Sequence, residues 1–353
     1  MIKYLRYLLF PFSILYGIVV FVRNKLYDTG IFKATGFDIP VICVGNLVVG
    51  GSGKSPVTEY LVRLFPDRKI AILSRGYGRK TKGFILADDQ ASAETIGDEP
   101  MQFYRKFPQV TVAVCEDRVL GATRLQEDHD LIILDDAYQH RAIRAGYYIL
   151  LFEFEKLLNP QFLLPAGNLR ESFSGYKRAE SILITKSPEV IKAEQAVKCL
   201  NKFENKWQKQ TVFSSLSYQD LLHLTSGESR SCNSITERTT VFLLTGIANP
   251  KPLLQYLGQY SANIQHHDYP DHYRFTIQNV RDLVNAFKSA PGIEKIIITT
   301  EKDAQRLLDG TLKELLLNLP IFYLPVKIGL SAKDKIIFDQ KIIAYVSSHT
   351  RNR

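Results

Sequence analysis

One stretch of the chain, residues 41–56, constrains the fold more than any other. It reads VICVGNLVVGGSGKSP, an apolar run typical of a buried strand, followed by a glycine-rich loop, a lysine and a serine. Glycines allow backbone N–H groups to close around an oxyanion, and the lysine reaches the outer phosphates. The serine oxygen suits Mg²⁺, so the stretch predicts a phosphate loop for a nucleoside triphosphate. The residues predicted to bind phosphate are Gly50, Gly51, Ser52, Gly53, Lys54 and Ser55.

A second motif supports this interpretation, although the loop itself is a variant. The strict pattern puts a glycine five residues before Gly53, where this chain has Val48. Further along, four apolar residues end in Asp135 and Asp136. A buried strand that ends in carboxylates provides oxygens for Mg²⁺ beside a phosphate. Adjacent aspartates also occur in simple turns, but the upstream loop favours the metal role.

Strand-like and helix-like segments alternate along the chain, which predicts a doubly wound α/β fold with ligands at the carboxyl ends of its strands. The pattern restarts near Ala179. We therefore expect a P-loop-type doubly wound sheet domain over residues 26–178 and a second, smaller α/β domain over residues 179–353, whose C-terminal segment is a candidate for packing back on the first. Strands are predicted near residues 41–45, 69–74, 110–115, 130–136, 147–152, 181–185, 240–245 and 295–300.

The N-terminal segment, residues 1–25, is apolar and aromatic and carries flanking basic residues. Its uncharged run from Tyr7 to Val22 has 16 residues, fewer than the roughly 20 that span a bilayer. No small-residue cleavage site follows, which argues against a signal peptide, and Pro11 is expected to interrupt a helix. We expect a helix that associates with an anionic membrane surface. A buried helix and a short spanning anchor are the alternatives.

Charge and cysteine content narrow the classes of partner. The formal net charge of +9 suits nucleic acid, anionic lipid or an anionic substrate, or simply solubility. No aromatic–basic ladder or zinc spacing indicates nucleic acid, and no protein partner is predicted. The four cysteines lie far apart without a CxxC motif. Neither a disulfide framework nor a metal site is therefore indicated, and a reducing compartment fits.

Two further clusters bear on the chemistry. The segment Gly97–Pro100 reads as an acidic turn, and Asp98 or Glu99 offers the carboxylate base that a kinase needs beside an acceptor alcohol. The histidine-rich segment at residues 266–272 is open to three interpretations: a polar loop, a metal site, or a histidine paired with an acid. The segments TKSP and TEKD lack the order of a guanine-specificity motif, so ATP is preferred over GTP.

Together these motifs resemble the tetraacyldisaccharide 4′-kinases of lipid A biosynthesis. Their order and co-occurrence are specific, and the resemblance extends from the N-terminal segment to about Arg306. The family also has the Val48 variant of the loop, whereas Ala137 and Asn168 stand where glycine and proline are common. The matching elements are VGNLVVGGSGKSP (44–56), SRGYG (74–78), GDEP (97–100), DD with QH (135–136 and 139–140), LPAGNLR (164–170), PDH (270–272) and TEKD (300–303).

The resemblance implies transfer of the γ-phosphate of ATP to the 4′-hydroxyl of tetraacyldisaccharide 1-phosphate, giving lipid IVA, at the cytoplasmic face of the inner membrane. It implies ATP and Mg²⁺ as cofactors, and the lipid disaccharide and anionic lipids of the membrane surface as partners. Asp98 is implied as the catalytic base with His272 as its supporting histidine, and Lys54 is implied in phosphoryl transfer. His267 is the alternative partner of the base, and the Pro-Asp-His sequence favours His272. The implied Mg²⁺ ligands are Ser55, Glu99, Asp135 and Asp136, and the implied substrate contacts are Arg75, Tyr77 and Arg170.

Two rival functions are weighed against this one. A membrane-tethered nucleotide-dependent switch or assembly ATPase needs the phosphate loop and the paired aspartates, but has no use for an acid paired with a histidine of the other domain. A kinase of a different lipid or sugar shares all the chemistry. Because the acid and the histidine lie in different predicted domains, we also expect the domains to close on ATP.

Overall fold

The computed structural model describes residues 6–308 and 310–349, which form two sheets flanked by helices. Most central strands are continuous apolar runs that are buried along their whole length, as expected of parallel strands covered on both faces. In chain order the strands are β1 Val41–Asn46, β2 Ile70–Ser74, β3 Ile85–Leu86, β4 Thr111–Val114, β5 Leu131–Asp135, β6 Tyr147–Glu153, β7 Ser181–Thr185, β8 Thr211–Tyr218, β9 Leu221–His223, β10 Ser229–Arg230, β11 Thr240–Thr245, β12 Ile264–Asp268, β13 Lys295–Thr300, β14 Ile321–Leu324 and β15 Val326–Leu330.

The helices cover the faces of the sheets and connect the parallel strands. Short 3₁₀ turns lie at Arg6–Leu9, Phe173–Arg178 and Cys232–Ser234. In chain order the α-helices are α1 Phe10–Asp28, α2 Lys54–Leu64, α3 Ala93–Ile96, α4 Asp98–Lys106, α5 Arg118–Leu125, α6 Phe154–Leu157, α7 Ala193–Leu200, α8 Asn205–Gln208, α9 Lys251–Leu257, α10 Ile277–Ser289, α11 Glu301–Leu307, α12 Thr311–Leu316 and α13 Ala332–Ser348.

The larger sheet has nine strands in the order β15-β8-β7-β6-β1-β5-β2-β4-β3. Its strands β4, β2, β5, β1, β6, β7 and β8 run parallel, and the edge strands β3 and β15 pair antiparallel. Chain order reverses on either side of β1, so the loops after β1 and β5 open into a common crevice at the carboxyl edge. This crevice is where the phosphate-binding motifs were expected.

The smaller sheet has six strands in the order β10-β9-β14-β13-β11-β12. Strands β12, β11, β13 and β14 are parallel, and β9 pairs antiparallel with β14. Two apolar clusters form its core, one on each face. The predicted fold class, an α/β protein with a P-loop-type sheet, a smaller α/β unit and an N-terminal apolar helix, is confirmed at the level of architecture.

The nine-stranded sheet takes strands from both sides of residue 178, the predicted domain boundary. Strands β7 and β8 continue it by parallel pairing. After the six-stranded sheet, β15 returns to pair with β8, and α13 packs Phe338 and Ile342 into the core beneath β1. The periodicity that identifies a strand does not say which sheet it joins, so the sequence alone left this pairing open. The domain limits themselves stay a prediction.

The N-terminal helix, predicted over residues 1–25, extends on both sides of the uncharged run from Tyr7 to Val22. Residues Arg6–Asp28 form a continuous helical segment that is long and apolar enough to cross a membrane, judged by length and composition. Pro11 does not interrupt it, contrary to the expectation, because it lies in the first turn of α1, where its missing N–H costs no hydrogen bond. The apolar side chains of α1, including Phe12, Leu15 and Val19, are mostly exposed. The alternative of a buried N-terminal helix is therefore wrong.

Candidate functional site

The glycine-rich loop joins β1 to α2 at the carboxyl edge of the larger sheet. Gly50 and Gly53 have φ angles of 103° and 84°, in the left-handed region that other residues adopt only with strain. The Asn46 amide donates a buried hydrogen bond of 2.7 Å to the Ser52 hydroxyl. The Thr185 hydroxyl, at the end of β7, donates to the Ser52 carbonyl at 2.7 Å. The loop is therefore fixed at its base while its backbone faces the crevice.

Val48 has a structural reason for replacing the usual glycine. It forms an isolated antiparallel bridge with Leu169, and its side chain is buried in the core of the larger sheet. The Val49 amide donates to the Asn168 carbonyl at 2.9 Å, and the Arg170 amide donates to the Leu47 carbonyl at 2.7 Å. The segment around Asn168 thus pairs with the first half of the phosphate loop.

Lys54 and Arg170 both face Asp136. The Lys54 ammonium lies 3.6 Å from Asp136 Oδ1, and Arg170 Nη1 donates to both Asp136 carboxylate oxygens, at 3.1 and 3.2 Å. Asp136 has a φ of 53°, in the left-handed region that aspartate tolerates better than most residues. Three charged groups of the predicted site are therefore brought together, with two cations beside one carboxylate.

Asp135 is a buried carboxyl group of the site with a raised pKa. It ends β5 and is buried, and no described residue hydrogen-bonds its Oδ1 atom. Burial raises the pKa of Asp135 to about 7, with Asp136 and Glu99 adding to the rise and Lys54 and Lys302 opposing it. The ionisation of Asp135 is thus sensitive to Lys54 of the phosphate loop and to Glu99 of α4. Such a buried, unsatisfied carboxyl oxygen is a feature of functional sites.

Asp98 contacts two residues from the part of the chain that forms the smaller sheet: His272, which follows β12, and Arg306 of α11. The sequence interpretation of a turn at Gly97–Pro100 is wrong, since Asp98 is the first residue of α4, where a helix favours negative charge. His272 Nδ1 lies 2.9 Å from Asp98 Oδ2, and Arg306 Nε donates to the same oxygen at 2.9 Å. Burial opposes ionisation, but these contacts hold the pKa of Asp98 below its ordinary value.

The histidine is affected in the opposite sense. The hydrogen bond to Asp98 raises the pKa of His272 despite the opposing effect of burial. The His272 backbone has a φ of 58°, and its amide donates to the Gly246 carbonyl at 3.1 Å. His267 lies elsewhere, stacked on Phe242, and burial lowers its pKa. Of the two histidines that the sequence left open, His272 is the one that contacts Asp98.

Two cations of α11, Lys302 and Arg306, complete the site. The sequence interpretation assigned neither of them a role. The Lys302 ammonium pairs with the Glu99 carboxylate, and although burial alone would raise the pKa of Glu99, this cation holds it below the ordinary value. Arg306 Nη1 also donates to Asp303 Oδ1 at 2.8 Å, which fixes the guanidinium. The only signal for Lys302 in the sequence was its place in a segment of the family pattern, which carries no information about its partner.

Arg75 and Tyr77 occupy the turn after β2, at the same edge of the sheet. Both are exposed, Tyr77 by 69%, and the Tyr77 ring lies edge-on to His272 with centroids 5.5 Å apart. Gly76 has a φ of 69°, and a Cβ there would come within 2.8 Å of the Ile96 carbonyl oxygen. The tight turn therefore presents Tyr77 beside the Asp98–His272 pair, while Arg75 makes no described side-chain hydrogen bond or ion pair.

This combination of strand, glycine-rich loop, helix, paired aspartates and an acid–histidine pair defines an enzyme of the phosphoryl-transfer class. The family model for tetraacyldisaccharide-1-P 4′-kinase (LpxK) matches residues 5–344. The chain belongs to this family. The predicted enzyme class, an ATP-dependent kinase of lipid A biosynthesis, is thereby confirmed.

Individual relatives match over nearly the full length. The tetraacyldisaccharide 4′-kinase of Flavobacterium psychrophilum is 44% identical over 99% of both chains, and that of Bacteroides thetaiotaomicron is 40% identical over 98% of this chain and 94% of its own. The crystal structure of LpxK from Aquifex aeolicus in complex with ATP superposes with a TM-score of 0.75. It is 31% identical and covers 97% of this chain and 99% of its own.

Proposed function

We propose that this chain transfers the γ-phosphate of ATP to the 4′-hydroxyl of tetraacyldisaccharide 1-phosphate. The observation that carries the proposal is Asp98, an ionised and largely buried carboxylate held by His272 and Arg306 at the edge that also bears the phosphate loop. A nucleotide hydrolase or switch has no acceptor alcohol to deprotonate, so this arrangement favours a kinase over the rival tethered ATPase. The ATP bound to the Aquifex relative supports the choice of nucleotide.

Asp98 is proposed as the general base. Its Oδ2 atom is hydrogen-bonded to His272 Nδ1 and to Arg306 Nε, while no described residue hydrogen-bonds Oδ1. The free oxygen is the one that accepts the proton of the acceptor hydroxyl as the hydroxyl oxygen attacks phosphorus. His272 and Arg306 keep the carboxylate ionised before the transfer and fix its orientation. The lowered pKa of Asp98 agrees with this role, since a base must be unprotonated at working pH.

Lys54 is proposed to neutralise charge on the transferring phosphoryl group. Its ammonium faces the carboxylate of Asp136 across 3.6 Å, which directs the side chain toward the end of β5. Preorganised cations act where charge develops in the transition state, and their contribution is large because they need no reorganisation. The backbone of residues 50–53 and the start of α2 would bind the remaining phosphate oxygens.

The residues of the site also fit Mg²⁺, which we include in the proposal. The proposed oxygen ligands are Ser55, Glu99, Asp135 and Asp136. Glu99 pairs with Lys302, and Asp136 pairs with Lys54 and Arg170, so the unsatisfied Oδ1 of Asp135 is the strongest indication. Within the described residues no group of three or more His, Cys, Asp or Glu side chains forms a closed metal cluster, which suits a cation that shares its ligands with phosphate and water. When bound, Mg²⁺ supplies charge neutralisation at the phosphates.

Arg75, Tyr77 and Arg170 are proposed to contact the lipid head group. Arg170 lies beside Asp136, and Tyr77 lies beside His272, the partner of Asp98. An arginine suits a phosphate on the sugar, and an exposed tyrosine suits the face of a sugar ring.

The exposed apolar helix is proposed to attach the enzyme to the cytoplasmic face of the inner membrane, at an anionic lipid surface. Its outward side chains form a long, mostly exposed apolar stripe, and the chain carries a net charge of +9. Replacing Phe12 and Val19 together by glutamate should shift the protein from sedimented vesicles to the supernatant. An unchanged bound fraction would contradict the attachment.

The central test is transfer of labelled γ-phosphate from ATP to tetraacyldisaccharide 1-phosphate in detergent micelles, with the Asp98→Asn variant alongside. We expect labelled lipid from the wild type and a loss of about 10²–10⁴-fold in kcat for the variant, with ATP binding retained. Label on another sugar or lipid, but not on this one, would replace the proposed acceptor. ATP hydrolysis without any labelled acceptor would favour the tethered ATPase.

A further inference from the structure

A buried cluster of charges outside the residues discussed so far joins three helices. Glu59 of α2, Lys106 of α4 and Glu301 of α11 contribute one charge each. The Glu59 side chain is only 1% exposed, although it lies just one turn beyond the phosphate loop. A buried carboxylate in this position needs a structural or functional reason, because its desolvation is costly.

Both carboxylate oxygens of Glu59 have hydrogen-bond or ion-pair partners. Its Oε1 accepts from the Gln102 amide at 2.7 Å, and its Oε2 accepts from Arg63 at 3.1 Å and lies 2.7 Å from the Lys106 ammonium. Two of these three partners, Gln102 and Lys106, lie on α4. The Glu59 carboxylate thus connects α2, which follows the phosphate loop, to α4, which begins at Asp98.

Lys106 extends the connection to the smaller sheet. Its ammonium lies 2.5 Å from Glu301 Oε1 in addition to its contact with Glu59. Burial and the nearby Glu59 carboxylate raise the pKa of Glu301 to about 7, an effect that Lys106 opposes. One ammonium therefore separates two buried carboxylates that would otherwise repel each other.

The helical register relates this cluster to the catalytic groups. Ser55 and Glu59 are four residues apart on α2, and Asp98, Gln102 and Lys106 are spaced by four on α4, so each set shares one helix face. The far end of α4 is thereby anchored at Lys106, while its first residue carries the base. Between these ends, Arg105 Nη1 donates to the Gln305 side chain of α11 at 2.9 Å.

We propose that Lys106 is a positioning residue, which sets the orientation of the base-bearing helix α4 relative to the phosphate loop and to α11. The inference rests on the proposed function, since it assigns to Lys106 the alignment of Asp98 with the phosphate bound at the loop. Small misplacements of reacting groups reduce rates strongly, because the reacting atoms must lie within about 3–3.5 Å of each other in alignment.

The test compares Lys106→Met, Lys106→Arg and the double variant Lys106→Met/Glu301→Gln with the wild type, by kcat, KM for ATP and thermal midpoint. Lys106→Met should lower kcat by about 10–100-fold and change KM for ATP by less than about threefold. Lys106→Arg keeps both ion pairs and should recover most of kcat. The double variant removes the carboxylate repulsion, so its thermal midpoint should recover while kcat stays low.

A matched control is Lys177→Met, which removes the ammonium of an exposed pair with Glu204. It should leave kcat and the thermal midpoint at wild-type values. If Lys106→Met does not fold, Glu301→Gln alone keeps the Glu59–Lys106 pair and should still lower kcat several-fold. Wild-type kcat in any folded variant that lacks the Lys106–Glu301 connection would overturn the inference.

The outcomes separate the two proposals. Recovery of kcat together with the thermal midpoint in the double variant would show that Lys106 acts on stability alone, which overturns the positioning role and leaves the proposed function intact. Absence of phosphate transfer by the wild-type protein would overturn the proposed function, and the positioning role would fall with it.

Discussion

The phosphate loop and the Asp98 site lie at one sheet edge but are built in opposite ways. The loop uses consecutive residues, and its supports, Asn46 and Thr185, come from strands of the same sheet. Asp98 depends on His272 and Arg306, which lie 174 and 208 positions away and pack beside the smaller sheet. Hydrogen bonds to the backbone and to neutral side chains hold most of the first region, with one further bond of 2.6 Å from the Lys186 ammonium to the Gly51 carbonyl, whereas ion pairs between carboxylates and cations hold the second. The two regions should therefore respond differently to substitution and to pH.

The loop is expected to show the largest effect on activity with the smallest effect on stability. Lys54→Met should lower kcat by about 10³-fold or more, because the preorganised charge at the phosphates is lost. Stability should change little, since Asp136 keeps its contact with Arg170. Phosphate transfer and urea unfolding of the same preparation provide the measurement. A large loss of stability would show that the ion pair between Lys54 and Asp136 also holds the loop.

The Asp98 site is expected to lose stability as well as activity when a cation is removed. Arg306→Met leaves Asp98 and Asp303 without their shared partner, and removal of one member of a buried ion network costs about 3–5 kcal/mol. We expect a corresponding drop in the free energy of unfolding and a fall in kcat of at least about tenfold.

Arg274 offers the matched control for that substitution. It pairs with Glu94 at an exposed position, so Arg274→Met should leave the free energy of unfolding almost unchanged. Equal losses of stability in the two variants would mean that the buried network has no special importance for the Asp98 site.

The pH dependence of stability should give the smallest effect. Because the pKa of His272 is raised in the folded state, its stabilisation is complete below the ordinary histidine pKa of about 6.5 and is lost as pH rises through the folded value. Because the pKa of Asp98 is lowered, its stabilisation is present above about pH 3.9 and is lost as pH falls through the folded value.

The difference in unfolding free energy between wild type and His272→Gln should therefore be greatest between about pH 4 and 6.5, at no more than about 1–2 kcal/mol. Urea unfolding across this range measures it. A difference that does not change with pH would contradict the ion pair between His272 and Asp98.

The contrast also explains what could be predicted from the sequence. The phosphate loop and the strand ending at Asp135 were recognisable because a strand, a turn and a helix start are local patterns, and all eight predicted strands are present within a few residues. The buried environment of Asp135 followed from the apolar run before it. Family resemblance, not periodicity, singled out Asp98 and His272.

The rest depended on long-range packing. Nothing in the local sequence around Lys302 or Arg306 indicates a partner two hundred positions away, and the pairing of β8 with β15 is equally non-local. Pro11 misled the interpretation because a proline is compatible with a helix only in its first turn, and that turn could not be located beforehand. Closure of the two sheets on ATP stays a prediction.

The contacts of α1 have one more consequence. The Ser13 hydroxyl donates to the Leu163 carbonyl at 3.1 Å, and the Tyr16 hydroxyl donates to the Arg170 carbonyl at 2.6 Å. The same segment pairs with the phosphate loop through the bridge between Val48 and Leu169. The N-terminal helix and the phosphate loop are thus connected through one shared segment, residues 163–170. If the helix binds a bilayer as proposed, this connection would hold the phosphate loop at a fixed height above the lipid.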